Sequence, residues 1–139
     1  MNTVLQILRI AFAAVFDAIF AVQVGVALGY KIAAARVIVW CILLLLVILG
    51  NYLPNLRPNY FVGIRTPWTL ENADTWRATH RLGGKLMFFG SLLLLILEFL
   101  LSRSAFDVLF VTFIVLLALW SLFYSWYYFR THATTRESA

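Results

Sequence analysis

The chain alternates long apolar runs with short polar segments, and this pattern predicts its secondary structure. Four runs stand out, at about residues 4–28, 37–53, 84–101 and 105–129. Each is close to the roughly 17–25 residues that an α-helix needs to cross a bilayer. Backbone groups in hydrocarbon must be hydrogen-bonded within their own segment, so these runs are expected to be helices. The pattern therefore predicts an all-α integral membrane protein with four transmembrane helices.

The longest interruption lies between the second and third apolar runs, at residues 54–83. It contains all three prolines of the chain, Pro54, Pro58 and Pro67. Proline fixes φ and pushes the preceding residue towards an extended conformation, so we expect a stiff loop. The asparagines of this segment and Gly63 favour turns within it.

The end of this loop has the spacing of a short helix, at about residues 73–82. Four residues share one face of it through their i, i+3, i+4 and i+7 spacing: Trp76, Thr79, His80 and Gly83. A second stripe is basic and consists of Arg77, Arg81 and Lys85. Asn72 or Thr69 is suited to cap the start of the helix. We predict an interfacial amphipathic helix, followed by a bend or a close backbone contact at Gly83 and Gly84.

Composition narrows the class of protein. The 139 residues are 63% hydrophobic and 12% charged, whereas soluble domains average about 45–50% apolar and about 25% charged. This excludes an ordinary soluble enzyme, a disordered tail and a disulfide scaffold. The first apolar run lacks a positive segment ahead of it, so we expect it to be retained rather than cleaved. We predict a single transmembrane domain over residues 1–139, with the loop 54–83 inside it.

The distribution of lysine and arginine predicts the orientation. The side of the loop and the C-terminus carries seven of them: Arg57, Arg65, Arg77, Arg81, Lys85, Arg130 and Arg136. The opposite side carries three: Lys31, Arg36 and Arg103. Positive residues favour the cytoplasmic side, so both termini and the loop are expected to be cytoplasmic. The net charge of +5 then reflects topology and lipid headgroups rather than direct binding of nucleic acid.

The first apolar run is interrupted by four polar residues that share an arc of about 120° on a helix: Gln6, Arg9, Asp17 and Gln23. We expect this face to point into a helix bundle or a water-filled cavity. Arg9 and Asp17 are ionisable at membrane depth. Asp17 either has a functional role or pairs with a polar group of a neighbouring helix. Glu98, near the end of the third run, is positioned to reach the interface or to pair with Arg103.

Chemistry for a metal site or for catalysis is weakly represented. The one cysteine, Cys41, and the two histidines, His80 and His132, do not form a metal-binding pattern. Glu71 and Asp74 lie in the same segment as His80, but no nucleophile motif or paired-carboxylate motif accompanies them. We therefore predict no metal, no cofactor and no enzymatic activity.

The basic stripe of the loop leaves two interpretations open. Arginine holds phosphate and carboxylate bidentately. The loop is therefore either a platform for an anionic group, a peptide or a protein partner, or a surface anchor whose arginines contact lipid phosphate. Spacing alone does not separate these interpretations.

Two segments of the loop, RPNYFVGIRTPWT at residues 57–69 and WRATHRLGG at residues 76–84, closely resemble the signature of the SdpI family. The resemblance extends over about residues 45–102. It implies a bacterial cytoplasmic-membrane protein that confers immunity to a secreted, membrane-active killing peptide. It also implies signalling, in which the protein sequesters a transcriptional repressor at the membrane. The cytoplasmic loop is suited to bind that repressor.

The pattern and the resemblance together indicate which residues form the partner-binding platform: Arg57, Asn59, Arg65, Thr66, Trp68, Thr69, Trp76, Arg77, His80 and Arg81. A second set is expected to shape the backbone: Pro58, Gly63, Pro67, Gly83 and Gly84. Two alternative functions remain. One is a small oligomeric transporter or lipid-handling protein that works around Arg9 and Asp17, in which a homo-oligomer encloses the route. The other is an interaction or scaffold protein of the membrane.

Overall fold

The structure is a computed structural model that describes residues 2–133. Over this range the chain is helical, without β-strands. Its elements are α1 (Asn2–Ala27), α2 (Ala34–Tyr52), a 3₁₀ turn (Leu53–Asn55), α3 (Pro67–Glu71), α4 (Ala73–Leu97) and α5 (Arg103–Ala133). Helices α1, α2, α4 and α5 are long and apolar enough to cross a membrane. The predicted all-α membrane protein with four spanning helices and a short loop helix is confirmed.

The short helix, however, lies elsewhere in the loop than predicted. Residues 73–82 belong to α4, which continues without a break to Leu97. The short loop helix is α3 instead, with Pro67 at its first position and Thr66 as its N-cap. Asn72 caps α4 as expected, since its side chain accepts hydrogen bonds from the backbone N–H groups of Asp74 and Thr75. The basic residues interrupt the apolar pattern there without interrupting the helix.

Gly84 of α4 and Gly50 of α2 lie where these two helices pack against each other. A Cβ on Gly84 would lie 2.7 Å from the carbonyl oxygen of Gly50, and a Cβ on Gly50 would lie 2.5 Å from the backbone nitrogen of Phe88. Helices α2 and α4 therefore approach through their backbones, as small residues permit in membrane proteins. Of the two expectations for Gly83 and Gly84, the close backbone contact is the one observed at Gly84.

Two apolar clusters hold the bundle together, one at each end. At the loop end, Leu8 of α1 and Trp76 of α4 enclose Leu53 and Leu56 from the segment after α2. At the far end, residues from α2, α4 and α5 meet: Val39, Leu43, Leu94 and Phe106. The start of α1, the loop and the end of α5 consequently share one end of the bundle. Arg136, which entered the orientation argument, lies outside the described residues.

A cluster of charged residues joins three helices at the far end. The Glu98 carboxylate forms ion pairs with Arg36 (3.3 Å) and with Arg103 (3.7 Å). The Trp40 indole N–H donates a hydrogen bond to the other carboxylate oxygen of Glu98. Arg103 also pairs with Asp107 at 3.1 Å. The expected pairing of Glu98 with Arg103 is present, and Arg36 and Trp40 add α2 to the cluster.

Candidate functional site

The centre of the loop is fixed by contact between Gly63, Ile64 and a histidine of α4. The Ile64 backbone N–H donates a hydrogen bond to His80 Nε2 at 3.0 Å. Because Nε2 accepts, the ring proton lies on Nδ1, which donates to the Trp76 carbonyl oxygen at 2.9 Å. Gly63 has φ +128°, and a Cβ there would lie 2.3 Å from His80 Nε2. Only glycine combines this backbone conformation with so close an approach.

Trp76 carries the next contact of the loop with α4. Its indole N–H donates to the Leu56 carbonyl oxygen at 2.9 Å, and its ring stacks on His80 with centroids 3.9 Å apart. Both side chains are 0% exposed. The two signature segments therefore meet in the interior, where the buried ring nitrogens of Trp76 and His80 are hydrogen-bonded to backbone groups.

The short helix α3 attaches the loop to α5. Thr66 and Thr69 form a reciprocal capping box, in which each side chain accepts from the other's backbone N–H. The Thr69 hydroxyl donates to the Ile64 carbonyl oxygen at 2.9 Å. Thr66 Oγ1 donates to Ser125 Oγ of α5 at 3.0 Å. Sequence analysis missed Ser125, because a contact across 59 residues leaves no local pattern.

The outer part of the loop is ordered by one asparagine. Asn59 Oδ1 accepts from the backbone N–H groups of Phe61 (2.9 Å) and Val62 (2.8 Å), and its Nδ2 donates to the Arg57 carbonyl oxygen at 2.8 Å. This is an Asx turn. The Arg65 guanidinium donates to a carbonyl oxygen of the same turn, that of Tyr60. The side chains of Tyr60 and Phe61 are left exposed, at 72% and 88%.

The predicted platform residues fall into three groups in the structure. Four are buried and shape the loop: Thr66, Thr69, Trp76 and His80. Four on the loop are accessible to different degrees, with Arg57 and Arg65 exposed and Asn59 and Trp68 half-buried. Arg77 and Arg81 are exposed on another side of α4 and line a separate cleft of about 800 Å³. Their role in binding a partner stays a prediction.

The predicted backbone-shaping residues are spread over the loop and the bundle. Gly63 contacts His80, Pro67 begins α3, and Gly84 lies against α2. Gly83 is buried, with a Cβ there 2.7 Å from the Ile64 side chain. Pro58 is exposed in the turn that Asn59 orders.

The polar face of α1 does not point into the bundle. Gln6, Arg9 and Asp17 are exposed, whereas Leu8 and Ala11 on the opposite face are buried. Of the two expectations for this face, a position inside the helix bundle of this chain is wrong, and the alternative, a water-filled cavity, stays a prediction. The physical reason is that α1 packs on α2 and the loop through its apolar face. A groove of about 720 Å³, between α1 and the loop, has Arg9, Phe12 and residues 61 and 62 on its walls.

Taken together, these features define a class of protein. It is a multi-pass membrane protein with a rigid, partly basic loop folded against one end of a four-helix bundle. Among residues 2–133, no cluster of three or more His, Cys, Asp or Glu side chains is placed to hold a metal ion. The hydrogen bonds that characterise this class join the loop to α4 and α5.

Comparison with known proteins identifies the family. The sequence profile of the SdpI/YfhL protein family matches residues 55–125, so the chain belongs to that family, as the loop signature predicts. The chain is also 29% identical over 94 residues to the protein named "Immunity protein SdpI" of Bacillus subtilis (strain 168). That alignment includes 68% of this chain and 44% of the relative, so the chain spans less than half of the relative's length. No solved structure matches the chain.

Proposed function

We propose that the chain is a membrane immunity protein that protects a bacterium against a membrane-active peptide toxin. Support comes from its family and from the name of its relative, "Immunity protein SdpI". One observation carries the proposal. The matched region, residues 55–125, contains the hydrogen-bonded loop and its contacts with α4 and α5. The role is one of binding, without enzymatic chemistry and without direct contact with nucleic acid.

The loop is the proposed partner platform. Its backbone is fixed by the His80 and Asn59 hydrogen bonds, and it exposes the side chains of Arg57, Arg65 and Phe61. A preorganised surface of cations and an aromatic ring is suited to an acidic or amphipathic protein segment, because little entropy is lost on binding. We propose that the loop lies in the cytoplasm, by the lysine and arginine distribution, and that it sequesters a transcriptional repressor there.

The experiment is a survival assay in a toxin-sensitive bacterium that expresses the chain and is challenged with its cognate killing peptide. The platform variant is Arg57→Ala with Arg65→Ala. The matched control is Lys31→Ala, an exposed cation at the far end. Membrane abundance is measured for every variant. We expect wild type and Lys31→Ala to protect, and the platform variant to lose protection or the associated signalling at equal abundance.

Two outcomes would count against this proposal. If wild type fails to protect against the cognate peptide, the immunity role is wrong. If wild type protects and the platform variant retains both protection and repressor recruitment, the immunity role stands but the platform is not Arg57 and Arg65.

A second candidate function rests on the outward polar face of α1. Arg9 and Asp17 are exposed on a helix that crosses the membrane, where uncovered ionisable groups are costly. A homo-oligomer that covers this face would enclose a polar route for a transported solute or a lipid headgroup. In that case Asp17→Asn abolishes function while Arg57→Ala and Arg65→Ala are tolerated. A pure scaffold would show neither effect.

A further inference from the structure

A cleft between α4 and α5 lies apart from the loop platform. It has a volume of about 800 Å³ and lies at the loop end of the bundle. One wall is the basic stripe of α4, formed by Arg77, Arg81 and Lys85, and the other wall is a stripe of α5, formed by Tyr124, Tyr128 and His132. Both stripes have i, i+4, i+8 spacing, so each helix presents one continuous face to the cleft.

The cleft carries an excess of positive charge. Among the described residues that line it, the one carboxylate is Asp74, which pairs with Arg77 at 3.6 Å, and both side chains are substantially exposed. Arg81 and Lys85 have no ion-pair partner among the described residues. Like charges four residues apart on a helix repel each other. An anion in the cleft would relieve that repulsion.

The opposite wall is a row of ring contacts along α5, in which the Trp120–Tyr124 and Tyr128–His132 pairs are stacked and the Tyr124–Tyr128 pair is tilted. The ring centroids are 4.9 Å apart for Trp120 and Tyr124, 6.1 Å for Tyr124 and Tyr128, and 4.0 Å for Tyr128 and His132. These ring contacts limit the rotamers of the side chains that line the cleft. Tyrosine is favoured at the headgroup level of membranes, where its hydroxyl meets polar groups and its ring meets apolar ones.

The depth of the cleft distinguishes a lipid from a soluble anion. Lys85 is twelve residues into α4, which at a rise of about 1.5 Å per residue puts it about 18 Å from the start of the helix. Beyond Lys85 the same side of α4 becomes apolar and exposed, at Phe89, Leu92 and Ile96. Along this side of α4 the surface therefore changes from cationic to apolar. A phospholipid has the same order, with a charged headgroup followed by acyl chains.

We propose that the α4–α5 cleft binds the phosphate headgroup of an anionic phospholipid, with the acyl chains along the apolar part of α4 below it. Basic pockets between membrane helices are suited to such headgroups. Arg77 and Arg81 then contact lipid phosphate, while Arg57 and Arg65 remain available to a protein partner. This inference does not depend on the immunity role.

The test is lipid binding to the purified full chain in a zwitterionic detergent, followed by native mass spectrometry. The probes are phosphatidylglycerol, phosphatidylcholine and soluble glycerol phosphate. The cleft variant is Arg81→Gln with Lys85→Gln. The charge-matched control is Arg57→Gln with Lys31→Gln, which also removes two exposed cations. A swap, Arg81→Lys with Lys85→Arg, retains the charge of the cleft.

We expect wild type, the control and the swap to prefer phosphatidylglycerol over phosphatidylcholine. In the cleft variant that preference should fall by about fivefold for each cation removed, or about 25-fold in total. Helical content by circular dichroism shows whether the variants are folded. Equal losses in the control and the cleft variant would show a general charge effect and overturn the site. Glycerol phosphate binding as tightly as phosphatidylglycerol would overturn the lipid as its ligand.

Discussion

Gly63 is the residue on which the loop most depends. Its positive φ and its approach to His80 each exclude a side chain. We predict that Gly63→Ala lowers the free energy of unfolding by about 2–4 kcal/mol, from backbone strain and from the displaced histidine. Thermal unfolding in detergent measures this.

Gly29 provides the control for that prediction. It also has a positive φ, +88°, but a Cβ there would meet nothing within 4 Å. Gly29→Ala should therefore cost only the backbone term, about 1–2 kcal/mol. Equal losses at the two positions would contradict the proposed contact between Gly63 and His80.

His80 accepts a hydrogen bond from the Ile64 N–H, and a substitution can remove this bond while an aromatic ring still fills the same volume. In His80→Phe the ring can still stack on Trp76, but the Ile64 N–H loses its acceptor. An unpaired buried N–H costs about 1–3 kcal/mol, so hydrogen exchange at the Ile64 amide should become about tenfold faster or more. His132→Phe, at an exposed position, should leave that amide unchanged. Unchanged exchange in His80→Phe would show that the loop is held by other contacts.

Sequence reasoning at the residue scale identified the right residue types but not their environment. The i, i+3, i+4, i+7 spacing correctly grouped Trp76, Thr79, His80 and Gly83 on one face, and that face is buried. The spacing could not show that the loop itself covers this face. The contact depends on Gly63 and Ile64, and Ile64 is sixteen residues from His80 in the sequence. Partners at that distance depend on how the chain folds back.

At the scale of elements, the Glu98 cluster joins α2, α4 and α5 at the far end. The Glu98 side chain is 4% exposed, whereas those of Arg36 and Arg103 are 52% and 37% exposed. We predict that Glu98→Gln lowers the free energy of unfolding by about 1–2 kcal/mol, because it leaves two arginines facing each other around a neutral group. Thermal unfolding at low and high salt tests this.

The neighbouring pair of Arg103 and Asp107 is the natural comparison. It is an i, i+4 pair with both side chains more than a third exposed, for which about 0.3–0.5 kcal/mol is typical. Asp107→Asn should therefore cost much less than Glu98→Gln, and its effect should vanish first as salt is added. A larger effect at Asp107 would mean that the cluster does not join the helices.

The helices themselves were largely predictable, but their limits were not. The four apolar runs indicated α1, α2, α4 and α5, because apolar stretches of that length are typical of transmembrane helices. The predicted helix at residues 73–82 begins where α4 begins, at Ala73, but its continuity with the third apolar run was missed because its first turns carry cations on one side. The short α3 did have a local signal, with Thr66, Pro67 and Thr69 in the spacing of a capping box.

At the scale of the whole molecule, the structure puts the loop and the described ends of the chain at one end of the bundle, and we propose from the lysine and arginine distribution that this end is cytoplasmic. We predict that Arg57→Cys is protected from an impermeant maleimide in intact bacteria, whereas Lys31→Cys is labelled. The background is Cys41→Ala, which removes the one native cysteine. Labelling in the opposite pattern would place the loop outside and exclude a cytoplasmic repressor as its partner.

The cleft between α4 and α5 and the outward face of α1 arise only at this scale. Arg81 and Tyr128 are 47 residues apart in the printed sequence, and nothing near either one indicates the other. The direction of the α1 polar face likewise depends on which face packs against α2. Sequence patterns indicated the basic stripe of α4 and the polar face of α1, but which elements pack beside them follows from the fold.

The central claim is that this chain protects a membrane against a killing peptide. Its most direct test is the membrane potential of single toxin-sensitive bacteria during challenge with the cognate peptide, with and without the chain, at verified membrane abundance. We predict that the potential is retained in bacteria that carry the chain and collapses in those that do not. Collapse at the same rate in both would contradict the claim.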